Sequence, residues 1–174
     1  MKSPFEFIYR ATGAMAVLCL TMIGVIILAD VALRQFGGQV KSSDDFAGFA
    51  LVGTALLGLA PTYRHGDHIR VGLLLDRLSG TARRALEIVA LAAACAIVGW
   101  ATWWIWKFVH DSYRFGEISS GLVRIHLWIP QGVMLWGLGV FFLALAEDLI
   151  RVLLGKPASY MAGHQAEGEI ARFE

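Results

Sequence analysis

Charge is scarce in this chain of 174 residues: only 17% of them are Asp, Glu, Lys or Arg, against 57% hydrophobic. A water-soluble domain of this length carries nearer a quarter charged, so water is excluded as the solvent of most of the surface. The formal net charge is +1, which removes any overall pull on nucleic acid, because a phosphate binder needs a basic face. Cysteine is nearly absent, and Cys19 and Cys95 both sit inside apolar runs, where a thiol acts as a small hydrophobe. Neither reads as a disulfide partner or a metal ligand. Zinc spacing, a phosphate-binding glycine loop and a nucleophile elbow are all missing, so no catalytic, cofactor-binding or metal-binding residue is assigned and the chain is not expected to be an enzyme.

The abundant feature is long apolar sequence. Ala11 to Ala29, Phe46 to Tyr63, Ile88 to Trp106 and Ile125 to Ala146 contain no Asp, Glu, Lys or Arg. A hydrocarbon core about 30 Å thick, crossed at 1.5 Å per residue, needs roughly 20 apolar residues. Backbone groups in lipid must pair within their own segment, so each run is expected to be a helix. The expected fold is an all-α membrane protein with four transmembrane helices over about 11–33, 46–63, 86–107 and 125–149, followed by a disordered cytoplasmic tail over 156–174. Lys2 and Arg10 raise a signal peptide as a rival for the first run. That run exceeds a usual h-region and no small-x-small site follows, which favours a retained anchor.

Four spans put the two termini and the second connection on one side. That side holds Lys2, Arg10, Arg64, Arg70, Arg77, Arg83, Arg84, Arg151, Lys156 and Arg172, against Arg34, Lys41, Lys107, Arg114 and Arg124 on the other. The positive-inside rule therefore predicts cytoplasmic termini. In the second connection Val71, Leu74, Leu75 and Leu78 recur at helical spacing while Arg70, Arg77 and Arg84 recur on the opposite face. This predicts an interfacial amphipathic arm over about 69–78, apolar side in lipid and arginines toward phosphate. Trp103, Trp104, Trp106 and Trp128 are expected to be interfacial anchors at headgroup depth on the outer side.

Polar candidates sit at span ends. Asp30 with Arg34, and Glu147 with Arg151, have the four-residue spacing that pairs on one helix face and read as depth anchors. Histidines 65, 68, 110, 126 and 164 lie too near the ends to suit a haem held between facing helices, although a haem- or quinone-associated anchor of a respiratory oxidoreductase remains the alternative reading. Ala50, Thr54 and Gly58 form a small-residue stripe that serves either internal packing or a partner helix.

Together these residues resemble the small permease subunit of the tripartite ATP-independent periplasmic (TRAP) transporters. The likeness rests on DVALRQFGGQV closing the first span, the acidic pair Asp44 and Asp45, LLG in the second span, RHGDHIRV from Arg64 to Val71, and Pro130 in WIPQGVML. Gln35, Asp45 and Gly72 depart from the family's usual aromatic, glutamate and acidic residue. The resemblance implies three partners: a periplasmic solute-binding protein that captures an organic-acid-type solute, a large multi-span permease subunit that carries it with sodium, and membrane lipids. Sodium coupling would belong to the large subunit, leaving no cofactor here. It also implies subunit or lipid contacts at Arg34, Asp45, Arg64, His68, Arg70 and Arg77.

Overall fold

The computed structural model describes residues 5–65 and 81–155. His68, Arg70, Arg77, the arm at 69–78 and the tail at 156–174 lie outside the described residues. Four long helices make up nearly all of the rest: α1 (Glu6–Gln35), α2 (Ser43–His65), α3 (Thr81–Phe115) and α4 (Trp128–Leu153). Each is long and apolar enough to cross a membrane. Among the described residues the only extended pairing is an isolated bridge between Ile118 and His126. The helices reach beyond most of the apolar runs at both ends, since a helix continues through headgroup depth wherever its polar side chains find partners. At the fourth span, residues 125–127 belong to the preceding loop and the helix starts at Trp128.

Glycine in the left-handed region follows three of the helices, Gly155 at φ +77° after α4 among them. Gly37 takes φ +78°, and the N–H groups of Gly38 and Gly37 donate back to the carbonyls of Leu33 (2.9 Å) and Arg34 (3.2 Å). Gly116 at φ +64° repeats the arrangement after α3, with Glu117 donating to Ser112 at 3.0 Å. Each is a left-handed cap that satisfies carbonyls the helix leaves open. Pro130 sits in the first turn of α4, where a missing N–H costs no helical hydrogen bond. Pro61 lies inside α2, yet the helix runs on to His65. Gly13 of α1 faces the proline ring, leaving room for it: a Cβ there would stand 3.6 Å from Pro61 Cβ.

The helices stand in a row, α1–α2–α4–α3, rather than in a closed bundle. α1 packs along α2, α2 along α4, and α4 along α3, while α1 meets α4 only briefly. Small residues permit the close approaches. A Cβ on Gly137 would lie 2.7 Å from the backbone of Leu56, so α2 and α4 touch backbone to side-chain-free backbone there. Gly53 sits between Cys19 of α1 and Val133 of α4. Toward the end where α1 begins and α4 stops, Tyr9, Ala60, Tyr63, Leu91, Val140, Ala144, Leu145 and Val152 form one buried cluster. Elsewhere the row leaves broad apolar faces open on both sides, as a lipid-solvated protein does.

Candidate functional site

Two polar junctions hold the ends of the row. At the end where α1 begins and α4 stops, Glu147 of α4 is the hub. It accepts a hydrogen bond from the Tyr9 hydroxyl of α1 at 3.1 Å, pairs with Arg64 Nη1 of α2 at 3.0 Å, and pairs with Arg151 Nη2 one turn along α4 at 2.6 Å. The Arg64 guanidinium also lies over the Tyr9 ring, 4.3 Å from its centroid. Its neighbour Asp148 is wholly buried and accepts from the Tyr63 hydroxyl at 3.1 Å. Consecutive acidic residues on α4 thus engage α1 and α2 together. Arg84 of α3 donates to the carbonyls of Val152 and Leu153 (3.1 and 3.3 Å), filling the open end of α4 and tying in the fourth helix.

Such a junction is costly to disturb. The Arg64 and Glu147 side chains are only 17% and 14% exposed, so removing one charge leaves the other poorly solvated. Low-dielectric surroundings strengthen each bond and equally penalise each vacancy.

At the opposite end the two loops interlock. Asp30 is buried, accepts from Arg34 Nε at 2.8 Å and from the Val40 N–H at 2.8 Å, and so pins the connection between α1 and α2 onto α1. Ser42 adopts φ +58°, and its hydroxyl accepts from the Val123 N–H at 3.0 Å, joining this connection to the loop over 116–127. That loop folds back on itself through Ser119 N–H to Ile125 O (2.7 Å) and Leu127 N–H to Glu117 O (3.0 Å). Gly121 lies so close to the Asp45 carboxylate that any side chain there would overlap it.

Of the residues the sequence singles out, Arg34 pairs with Asp30 while staying 61% exposed, Asp45 faces Gly121, and Arg64 turns inward to Glu147. Ala50 is buried, Thr54 is half-buried with its hydroxyl bonded to the Ala50 carbonyl at 2.8 Å, and Gly58 opens onto free space. The line of α2 that packs is Ala50, Gly53, Leu57 and Ala60. Trp103 stacks on Trp106, Trp106 leans on His110, and Trp128 meets the edge of the Tyr113 ring. Lys107 Nζ rests 5.5 Å from the Trp103 ring and 5.0 Å from that of Trp104. Sequence reasoning missed Tyr9, Tyr63 and Asp148. The available signal was an unbalanced Glu-Asp pair at one span end facing an arginine at the same end of another. Among the described residues, no group of three His, Cys, Asp or Glu side chains is placed to hold a metal ion.

A row of apolar helices clamped at both ends by polar junctions defines a multi-pass helical membrane protein. Comparison with known proteins identifies which one: residues 11–155 match the family described as tripartite ATP-independent periplasmic transporters, DctQ component, and the chain belongs to that family. It is 27% identical over 150 residues to the ectoine TRAP transporter small permease protein TeaB of Halomonas elongata, across 82% of this chain and 74% of that one. The chain is therefore a small TRAP permease subunit of the bacterial inner membrane, a transporter component and not an enzyme.

Proposed function

We propose that this subunit is the stationary scaffold of a sodium-driven TRAP transporter, taking up an organic-acid-type solute delivered by a periplasmic binding protein. The observation that carries the reading is the row itself. Four helices clamped at both ends, with wide apolar faces left uncovered, make a stiff plank that fixes depth and resists tilt while offering a long edge to a larger membrane chain. The large permease subunit then carries the solute and its coupling sodium. The termini face the cytoplasm, where the basic residues concentrate, and the interlocked loops face the periplasm and the binding protein. Arg70 and Arg77, with His68, serve as lipid or subunit contacts on the cytoplasmic side.

Gentle detergent extraction of the tagged chain from its native membrane tests this reading. Co-purification of a large multi-span hydrophobic chain supports it; recovery of a haem-bearing oxidoreductase instead overturns it. Ectoine, the solute in the relative's name, belongs among the first ligands assayed on the assembled complex.

A further inference from the structure

The geometry points to a phospholipid site in the cleft between α3 and α4, which Ile8 of α1 also lines, with one acyl chain in the cleft and the lipid phosphate at Lys107. The cleft has a volume of ≈ 620 Å³, within the range of small-molecule sites. Its walls are apolar, and glycine opens it: Gly132 and Gly139 of α4 both line it, and neither has an atom within 4 Å of where a Cβ would stand. At its back α3 and α4 close up, since a Cβ on Gly99 would lie 2.9 Å from the Phe142 ring. Between two helices in contact the back of the cleft is a depth that a hydrocarbon chain can fill, whereas a helix about 10 Å across could only lie over its mouth.

Length and charge select the occupant. Along α4 the cleft runs from Gly132 to Leu143, about 16 Å at 1.5 Å per residue, which matches the roughly 15 Å depth of one leaflet's hydrocarbon. Its outer mouth is walled by Trp103 and Trp106, in the aromatic cluster. Lys107 lies against that wall, its ammonium over the Trp103 and Trp104 rings, and among the described residues no carboxylate stands within ion-pair distance of it. A cation held on indole faces beside an apolar cleft complements a phosphodiester with its fatty acid below.

Native mass spectrometry of the delipidated chain in detergent, titrated with dioleoylphosphatidylglycerol, tests the site. The expected result is one tightly retained lipid, lost at least tenfold in Gly132→Leu and Gly139→Leu, which fill the cleft, and unchanged in Gly58→Leu, which fills open space elsewhere. Lys107→Gln is expected to weaken retention about fivefold, and inorganic phosphate at the same concentration is not expected to compete. Circular dichroism confirms that the variants keep their helices. Should the filling variants misfold, emission difference spectra between the native chain and Trp136→Phe or Trp100→Phe decide, since both keep the Trp103 and Trp106 wall: a chain-brominated lipid at one equivalent quenches the component due to Trp136, which lines the cleft, more than that due to Trp100, which does not. Equal retention in filled and native chains, equal quenching of the two tryptophans, or cross-linking of position 139 to the large subunit with no retained lipid overturns the site.

Discussion

Glu147 on α4 binds Arg64 on α2 across 3.0 Å while holding the Tyr9 hydroxyl of α1 at 3.1 Å, so a single carboxylate fastens three of the four helices. Because it sits at one end of the helices, it sets the register of α1, α2 and α4 together, and Tyr9, which it holds, belongs to the buried cluster.

Arg64→Gln is expected to lower stability by about 1–3 kcal/mol, since Arg151 and Tyr9 stay but a poorly solvated carboxylate loses one charged partner. The double variant Arg64→Met with Glu147→Leu is expected to cost less than the sum of its two single changes, because each single change strands the other charge of the pair, whereas the double change leaves only Arg151 and the Tyr9 hydroxyl without their carboxylate. Thermal melting in detergent across the double-mutant cycle measures both; strict additivity of the two single changes would count against the junction.

Gly137→Ala is expected to cost about 1–3 kcal/mol, because the new methyl group runs into the backbone of Leu56 and Leu57 and must part α2 from α4. Gly24→Ala meets nothing within 4 Å and is expected to be neutral or slightly stabilising. The same melting assay compares them.

Gly121→Ala is expected to break the interlock of the two loops by driving a methyl group into the Asp45 carboxylate. Hydrogen exchange reads the result locally: the amides of Ser119 and Val123 exchange at least tenfold faster than in the native chain, while those of the α2–α4 contact do not change.

The sidedness is checked by cysteine labelling in intact cells. With Cys19 and Cys95 shielded in the spans, Ser120→Cys is expected to react with a membrane-impermeant maleimide added outside and Ala158→Cys only after lysis. The reverse pattern would invert the topology.

Much of the fold was legible because lipid demands long charge-free runs, and all four helices follow from them. The pairs Asp30–Arg34 and Glu147–Arg151 were legible too, being one helical turn apart. The order of the row was not. A soluble helix advertises its buried face by an apolar stripe, but here both faces are apolar: on α3 Trp100 is 66% exposed and Leu91 is buried, and both are hydrophobic. The contact line of α2 depends on which small residue another backbone meets, which separates Gly53 from Gly58 only in three dimensions. Arg64 and Glu147 are 83 residues apart, and no local spacing connects them. Family membership was legible from the order of short motifs across the four spans rather than from any one of them.

Solute flux in proteoliposomes tests the scaffold role most directly. With an inward sodium gradient, the large subunit and a loaded binding protein, uptake is expected to require this chain; the chain reconstituted alone is expected to pass nothing above empty vesicles. Sodium-driven uptake by this chain in isolation would contradict the account.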